Sequence, residues 1–494
     1  MELLSEQNFS EVEEEFTQMV EKYKQETQAW LSSVETEMRQ DGRELMRKLL
    51  HAHISARGVG NVGELLKTTD GKQLTHKRLI KRKLNTLFGP IEIIRTGYTQ
   101  RNDHFLFPLD SMLNLPPSSF SYGLQRFLAR RLAVNSFSEA LNLVHEISGI
   151  KIGNGQANQI AESCVTDFDQ YYENMLQKED QVMELLVLST DGKGIVMRPN
   201  ALTSETQRRA EISKHKMKKR LSRGEKSNYK RMAQVASVYF VERFIRTPQD
   251  VLNELRNEKT EKRRPSPSQK RVWASVEKSA KEVIQGLFLE AEKRDPEHKM
   301  PWVILIDGNK HQLNVIKTES KKSGCHATIV LDIIHVIEYL WRVARIFLGE
   351  AKHSACENWV NEKLCAILNE QAAAVAGSIK MSAAKRKLTK QQKKTVTVCA
   401  RYISSHKQYM NYKTYLANGF PVATGVIEGA CRYLIKDRMD ITGARWGLSG
   451  AEAVLKLRSL VSSGDFDDYW QFHLKNQYDR NYSSKIAKFE KNLD

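Results

Sequence analysis

Apolar positions recur at helical spacing along the first fifty residues of the chain. Phe16, Met19 and Tyr23 lie three to four residues apart beside a run of glutamates, which is the pattern of an amphipathic helix. We therefore predict a helical arm or oligomerisation segment here. A basic stripe over residues 67–83 is assigned to a helix or loop. The alternating residues 87–95, which flank a Gly-Pro turn, predict a strand or hairpin.

Residues 120–180 carry a second helical pattern with a turn in the middle. Ser136 and Glu139 have the spacing of a capping box, which marks the start of a helix. That helix is expected to stop at Gly149, and a second helix begins near Gly153 with Ile160 on its apolar face. Two helices joined by a short glycine-containing turn are typical of a helix-turn-helix, so we predict that this segment reads DNA sequence.

Longer apolar runs begin after residue 180 and predict five buried strands, at 183–189, 195–197, 235–241, 302–306 and 327–331. A polar helix is predicted from Ser268 to Glu292, and an apolar helix over Ile333–Leu348. This order predicts an α/β fold with a mixed sheet, in which the ligand site lies at the carboxyl ends of strands. Residues 351–413 are predicted to be helical and are lysine-rich, and a further helix is predicted near Thr424.

The charge of the chain narrows its possible partners. Its 494 residues include 77 lysines and arginines against 59 aspartates and glutamates, a net charge of +18. Such an excess favours a polyanionic partner, most simply nucleic acid. Because the sequence has no apolar run of about 18 residues and no signal-peptide pattern, we expect a cytoplasmic protein without a membrane partner. The six cysteines form no C-x-x-C pair, which argues against a zinc knot or a disulfide framework.

Three acidic residues stand beside glycines at predicted element edges: Asp191, Asp307 and Glu428. Small neighbours let a bulky ligand such as a phosphate backbone approach the main chain. Carboxylates without an adjacent His or Cys suit Mg²⁺ or Mn²⁺, and two such ions about 4 Å apart assist phosphoryl transfer. Asp-Gly after a strand is also common turn chemistry, and the helix dipole favours a Glu near a helix start. The three together, in a basic chain, favour the catalytic interpretation.

Two strands that end in aspartate and a helix that carries a glutamate, separated by a helical insertion, resemble the RNase H-like DDE transposases of bacterial insertion sequences. The segment Asp332–Leu340 is similar to the Asp-x-x-His signature that follows the second catalytic Asp in several of these families. Residues 425–432, 436–439 and 443–446 resemble the block around the catalytic Glu of the ISKra-type transposases. The resemblance covers about residues 85–465.

The resemblance implies an RNase H-like catalytic core that is interrupted by an all-helical insertion and preceded by a mostly helical DNA-binding region. The predicted segments are an N-terminal helical arm (1–84), a DNA-binding region with a hairpin and the helix-turn-helix (85–180), the first part of the core (181–350), the helical insertion (351–421), the Glu-bearing C-terminal helices of the core (422–465) and a tail (466–494).

The resemblance also assigns roles to the acidic residues. Asp191 and Asp307 would chelate two Mg²⁺ or Mn²⁺ ions, and Glu428 would complete the site. Asp332 is an alternative to Asp307 as the second ligand; otherwise Asp332 and His335 would orient the ligands or the DNA. The implied reaction is hydrolysis at the transposon ends, followed by attack of the freed 3′-hydroxyl on target DNA.

The partners that the resemblance implies are double-stranded DNA, both the terminal inverted repeats and the target, and further copies of the chain. A homodimer or higher oligomer would act on paired ends in the bacterial cytoplasm, associated with the nucleoid. Basic and aromatic residues near Glu428 and in the stretch 214–231 are predicted to contact this DNA, with the protein core as an equal alternative for the tryptophan. They are Arg432, Lys436, Arg438, Arg445, Trp446, Lys218, Lys219 and Arg220.

Two other functions stay open at the level of the sequence. An RNase H-like nuclease would share the carboxylates but would not join strands. A non-catalytic DNA-binding regulator descended from the same fold would bind DNA without metal and would not need the carboxylates.

Overall fold

The computed structural model describes residues 2–486 apart from 102, 176–183, 213–228, 257, 259–262 and 442, with the backbone alone over 2–8. The chain divides into two compact units. The first comprises residues 1–175 and 464–494, and the second comprises residues 176–463. Among the described residues, no helix is both long enough and apolar enough to cross a lipid bilayer.

The first unit is mainly helical and contains two small antiparallel sheets. Its elements are α1 (Glu2–Gln25), α2 (Leu31–Ser55), β1 (Leu66–Lys67), β2 (Gln73–Leu74), β3 (His76–Thr86), β4 (Gly89–Thr99), α3 (Pro108–Met112), α4 (Tyr122–Val134), α5 (Phe137–Ser148), α6 (Asn154–Ser163), α7 (Phe168–Asn174) and, near the end of the chain, α20 (Phe466–Tyr478) with a π-helical turn (Asp479–Ser483).

The second half of the basic stripe that the sequence assigned to a helix or loop, from His76 onward, is strand β3, which pairs with β4 in a hairpin. The pairing runs from His76 opposite Thr99 to Thr86 opposite Gly89. Gly89 has a φ of 122°, which glycine adopts without strain. The earlier assignment was wrong because most of β3 is exposed, so no alternation of buried and exposed positions marks it as a strand.

The helices predicted around residues 136–163 are confirmed. The Ser136 hydroxyl accepts the Glu139 N–H at 3.2 Å, and the Glu139 carboxylate accepts the Ser136 N–H at 2.9 Å. Gly149, at a φ of 72°, ends α5, and α6 follows Gly153. Helices α4, α5 and α6 pack together. Sequence-specific reading of DNA by this cluster stays a prediction.

The second unit is a sheet with helices. Its elements are β5 (Leu185–Val196), a 3₁₀ turn (Pro199–Ala201), α8 (Ser204–Ile212), β6 (Lys230–Val241), α9 (Pro248–Leu255), β7 (Ser268–Ser275), α10 (Ala280–Arg294), β8 (Trp302–Ile306), α11 (Lys310–Ser323), β9 (Thr328–Leu331), α12 (Ile333–Leu348), α13 (His353–Leu368), α14 (Ala372–Ala384), α15 (Lys390–His406), a 3₁₀ turn (Lys407–Tyr409), α16 (Tyr412–Ala417), α17 (Gly425–Ala430), a π-helical segment (Cys431–Lys436), α18 (Asp437–Met439) and α19 (Leu448–Ser463).

The five strands of this unit form one mixed sheet in the order β7-β6-β5-β8-β9. Strand β6 pairs with β7 and with β5 in antiparallel fashion, whereas β8 pairs with β5 and with β9 in parallel fashion. The apolar residues of β8 and of the first four positions of β5 are almost fully buried and belong to the same core as helices α10 and α12 to α16, as expected for central strands that are covered by helices. The predicted α/β class with a mixed sheet is confirmed.

Two predictions about the strands were wrong. Ser268–Ser275 is strand β7 and not the start of a polar helix, and α10 begins only after the Ser279 cap. The first half of β7 is partly exposed at the sheet edge, so its polar residues do not alternate with buried ones. The predicted strands at 183–189 and 195–197 are a single strand, because β6 pairs with β5 along all twelve residues and carries it through Asp191.

Candidate metal centre

Three aspartates lie in one row across the parallel half of the sheet. Strands β5 and β8 pair up to Ser189 beside Leu305, so two residues further on Asp191 lies beside Asp307. Strands β8 and β9 pair up to the last residue of each, so the next residues, Asp307 and Asp332, are also neighbours. Residues in register on parallel strands point to the same face. The register therefore places all three aspartates at the carboxyl edge of the strands, where α/β sheets bind ligands.

Asp307 follows β8 directly and has one oxygen that the protein does not occupy. Its Oδ1 accepts the Asn309 N–H at 2.8 Å, and its carbonyl oxygen accepts the Tyr402 hydroxyl at 2.7 Å. Among the described residues, none donates a hydrogen bond to Oδ2. Burial raises the pKa of the Asp307 carboxyl, the Asn309 N–H opposes this rise, and the charge of Asp191 adds to it. A buried carboxylate whose charge is costly, with a second carboxylate nearby, is a favourable place for a cation.

Asp332 is fully buried and caps helix α12. Its Oδ1 accepts the Ile334 N–H at 3.0 Å, while its Oδ2 lies 2.5 Å from the donating Thr424 hydroxyl and 2.9 Å from Nδ1 of His335. Both carboxylate oxygens are thus engaged by the protein. This arrangement suits a residue that positions its neighbours, because a carboxylate that orients an imidazole also fixes which nitrogen faces the site.

His335 and Glu428 form a compact group with Asp332. One possible ligand atom from each of the three lies within 4.8 Å of the other two, so the group could hold a metal ion. Asp332 is buried, His335 is half-buried, and Glu428 is exposed on α17. The Thr424 hydroxyl is 3.4 Å from Oε1 of Glu428. Thr424 therefore connects the cap of α12 with the glutamate-bearing helix.

The electrostatics of this group favour a bound cation. The hydrogen bond to Asp332 raises the pKa of His335 to about 9, although burial opposes the rise. Burial raises the pKa of Glu428, and the charge of Asp332 adds to the rise while His335 lowers it. The protonated imidazole is therefore a counter-charge to these carboxylates in the metal-free protein. A metal ion would supply the same positive charge.

Asp191 lies inside strand β5, whereas the sequence suggested that it ends a strand. Its Oδ1 accepts the Gly192 N–H at 2.6 Å, and its Oδ2 accepts the Cys431 thiol at 3.2 Å. Burial and the charge of Asp191 raise the pKa of the Cys431 thiol, so it stays a donor. Cys431 begins the π-helical segment that continues α17, and that segment packs against β5. Such π-helical turns often occur at functional sites.

The structure corrects one premise about the metal. The carboxylates have no His or Cys next to them in the sequence, but in space His335 lies beside Asp332 and Cys431 lies beside Asp191. Imidazole suits iron and zinc, whereas Mg²⁺ and Mn²⁺ prefer oxygen ligands. The donor set therefore admits a wider range of divalent ions than the sequence predicted.

Two of the predicted DNA contacts are buried: Arg438 is corrected to a core position, and for Trp446 the structure supports the core alternative. Arg438 and Trp446 are 2% and 7% exposed. The Trp446 indole N–H donates to the Met439 carbonyl at 2.9 Å, and the Arg438 guanidinium lies 5.0 Å from the centre of the indole ring. The chain at Trp446 also pairs with Met197 just beyond β5. Neither side chain can reach a base without breaking this packing.

The other predicted contacts have different positions. Arg432, Lys436 and Arg445 are exposed, so they are accessible to DNA. The Arg432 guanidinium is 3.6 Å from Asp437. The predicted contacts in the basic stretch 214–231 lie outside the described residues: Lys218, Lys219 and Arg220.

Sequence reasoning missed three residues that support the carboxylates: Thr424, Cys431 and Tyr402. Thr424 and Cys431 lie within or next to the block that resembles the catalytic Glu region. Their closeness to Glu428 in the sequence was the feature that could have identified them. Tyr402 is 95 residues away from the carbonyl that it donates to. No local pattern connects it with Asp307.

No protein-family model matches the chain, and comparison with curated proteins finds no match.

Proposed function

We propose that this chain is a DDE-type DNA transposase of the ISKra type, which binds the terminal inverted repeats of an insertion sequence, cleaves strands and transfers the 3′-hydroxyl to target DNA. The observation that carries the proposal is the register that sets Asp191 beside Asp307, with Glu428 on a helix that packs against β5. The mixed sheet and the helices α13 to α16 before the glutamate-bearing helix support an RNase H-like core with an insertion.

Among the described residues, Asp332, His335 and Glu428 bring possible ligand atoms within 4.8 Å of one another, so this end of the sheet could hold a divalent ion. The assignment of Asp191 and Asp307 as ligands beside Glu428 rests on the resemblance and on the strand register. Asp191, Asp307 and Glu428 would hold two Mg²⁺ or Mn²⁺ ions, which when bound supply the positive charge that phosphoryl transfer requires. The Cys431 thiol orients one carboxylate, and the Tyr402 hydroxyl holds the backbone of another. Asp332 is better suited to positioning than to direct ligation, because it is fully buried and its Oδ2 contacts both Thr424 and His335. Asp191 is only partly buried, and its Oδ2 accepts a single, weaker hydrogen bond from a thiol.

The charge distribution supports DNA as the substrate. The net charge of +18 favours a polyanion, and Arg432, Lys436 and Arg445 are exposed on the same stretch of chain as Glu428. We infer that the helices α4 to α6 read the inverted repeats, and that a homodimer or higher oligomer brings two ends together. The bacterial cytoplasm, at the nucleoid, is the corresponding location.

The experiment that tests this proposal is a cleavage and joining assay. The purified protein is incubated with duplex DNA that carries the sequences flanking its own gene, in Mg²⁺, Mn²⁺ or EDTA. We expect metal-dependent nicks at the ends and joined products. In Asp191→Asn, Asp307→Asn and Glu428→Gln, product formation should fall by about a thousandfold or more, because loss of a ligand removes several kcal/mol of charge stabilisation.

Glu357→Gln is the matched control, since this exposed carboxylate on α13 is remote from the row in sequence. Nicks without joined products, lost in the same variants, would identify a nuclease instead of a transposase. Specific binding without any nicking in either metal would contradict the enzymatic proposal and favour the regulator.

The stability of the Asp307 variant gives an independent test of the metal site. Because burial raises the pKa of Asp307, its charge costs folding free energy above its ordinary pKa. In EDTA at pH 7, Asp307→Asn should therefore melt at the same temperature as the wild type or above it. In Mn²⁺ the wild type should gain stability and the variant should gain much less. Equal gains in both proteins would exclude Asp307 as a ligand.

A further inference from the structure

A cavity of the second unit lies between the end of β6 and the segment that leads into α17. It has a volume of about 200 Å³, and its walls are largely apolar. They include Tyr239, Phe244, Pro265, Pro421 and Val426. A neighbouring cavity of about 310 Å³ shares Phe244 and Pro265. Because β6 runs antiparallel to β5, this end of β6 is at the opposite edge of the sheet from Asp191.

The cavities are strongly basic. Among the described residues, four arginines and one glutamate line the two of them: Arg243, Arg246, Arg263, Arg264 and Glu242. An excess of guanidinium groups around an apolar cavity is a typical recognition site for a phosphate, because the planar fork of arginine matches the phosphate oxygens.

Arg246 is the unusual member of this set. Its side chain is 3% exposed and lines the smaller cavity, although a buried cation normally needs full compensation. One guanidinium nitrogen lies 3.2 Å from Glu254, and the group lies over the Phe244 ring at 4.8 Å. Its Nε has no hydrogen-bond partner among the described residues. Arg264 lies 3.5 Å from the same carboxylate, so Glu254 forms ion pairs with both arginines.

We propose that this cavity binds one nucleotide, with its phosphate at Arg246 and Arg264 and its base against the aromatic and proline walls. A base offers a planar apolar face for Tyr239 and Phe244, as in other pockets that hold an unstacked base. The choice of a nucleotide among phosphate ligands rests on the proposed function. The source is either a free mononucleotide or a nucleotide that a DNA strand places in the cavity.

The occupant would also contact the helix of the catalytic glutamate. Val426, in the first turn of α17, lines the cavity two residues before Glu428. A nucleotide in the cavity would therefore restrain the turn from which Glu428 projects. This connection makes the cavity a site where DNA outside the cleaved bond can affect the acidic centre.

Calorimetric titration of the full chain in EDTA tests the proposal without the metal site. The probes are deoxyadenosine 5′-monophosphate, deoxyadenosine and inorganic phosphate. We expect the nucleotide to bind at least about tenfold more tightly than either of its parts. Arg264→Gln should weaken nucleotide binding about tenfold, the loss that corresponds to one charge-assisted hydrogen bond. Arg264 is 64% exposed, so this variant should fold.

The matched control is Arg256→Gln, an exposed arginine outside the cavities, which should bind the nucleotide like the wild type. A single-stranded oligonucleotide with 2-aminopurine distinguishes the two sources. Unstacking fluorescence that depends on Arg264 identifies a strand nucleotide, and mononucleotide binding alone identifies a free one. Phosphate that binds as tightly as the nucleotide, or equal effects of the two substitutions, would overturn the proposal.

Failure of the proposed function would give a different result. In Asp191→Asn the nucleotide should bind as it does to the wild type, whether or not the wild type cleaves DNA. An inactive wild-type protein that binds the nucleotide through Arg264 would contradict the transposase and keep the cavity assignment. A protein that cleaves and joins DNA but binds none of the probes would support the transposase and overturn the cavity assignment.

Discussion

His335 balances the charge of the acidic centre when no metal is bound. The hydrogen bond to Asp332 raises its pKa to about 9, well above that of a free imidazole. Its protonation therefore stabilises the fold fully below about pH 6.5, and this contribution is lost as the pH rises through about 9.

We predict an imidazole titration near pH 9 for His335 in EDTA, observed by NMR of histidine-labelled protein and assigned by its absence in His335→Gln. In Asp332→Asn the midpoint should move down towards that of a free imidazole, because the neutral amide no longer favours the charged ring. A midpoint that is the same in the wild type and in the Asp332→Asn variant would show that another group holds the proton.

The sequence predicted that the strand ending at Asp307 lies beside the strand of Asp191, and the β5–β8 pairing confirms this adjacency. The choice of Asp307 over Asp332 as the second ligand stays a prediction, because the structure places Asp332 and not Asp307 in the group with His335 and Glu428. No local pattern in the sequence indicates that the Cys431 thiol donates to Asp191, because the two residues are 240 positions apart. Burial could not be predicted from the sequence at Trp446 and Arg438, because both lie close to exposed cations in the chain although their side chains belong to the core.

The turn between β8 and α11 determines how Asp307 is presented. Gly308 has a φ of 88°, and a Cβ at this position would lie 3.1 Å from both Leu331 and the Tyr402 ring. We predict that Gly308→Ala destabilises the protein by about 1–3 kcal/mol through backbone strain and crowding. It should also weaken Mn²⁺ binding, because Tyr402 donates to the Asp307 carbonyl in the same turn.

Gly286 provides a control, because its substitution by alanine is expected to raise the free energy of unfolding and not to lower it. It lies inside helix α10, where an added Cβ meets no atom within 4 Å among the described residues. Gly286→Ala should therefore stabilise the protein by about 0.5–1 kcal/mol, since it removes backbone entropy from the unfolded chain. Urea unfolding of the two variants measures both effects. Similar shifts for the two glycines would refute the strain argument.

Elements were predictable where a cap or a continuous apolar run defines them. The strand at 302–306 and the helix over 333–348 have the predicted bounds. Strand β7 was missed because an edge strand with one partner has few buried positions, and β5 was divided because Asp-Gly is a common turn pair. In both cases pairing with β6, a partner distant in the sequence, decides the structure.

The end of the chain completes the first unit through a buried ion pair. Asp167 is 2% exposed; His473 donates to its Oδ2 at 2.6 Å, and Arg480 binds its Oδ1. Burial alone would raise the pKa of Asp167, but these two hydrogen bonds lower it overall. Its stabilising contribution is therefore present above about pH 4 and is lost as the pH falls through the lowered pKa.

We predict that His473→Ala destabilises the first unit by about 3 kcal/mol at pH 7, because it leaves a buried carboxylate with one partner. Hydrogen exchange of α7 and α20 during urea titration measures this loss, which should shrink below about pH 4. His406→Ala, in the second unit, is the control and should leave that exchange unchanged. The sequence assigned residues 466–494 to a tail because this contact joins residues 306 positions apart.

The charge of the whole molecule predicts how its affinity for DNA responds to salt. Each phosphate contact contributes about −0.9 to the slope of log affinity against log salt. Arg432 and Lys436 are exposed, so Arg432→Gln with Lys436→Gln should reduce the magnitude of the slope by about 1.8 if both bind phosphates. Fluorescence anisotropy of duplex DNA between about 50 and 200 mM KCl measures it. Arg438→Gln should instead lower the melting temperature, because its guanidinium packs on the buried Trp446 ring. An unchanged slope in the double variant would assign the polyanion-binding surface to other cations of this chain.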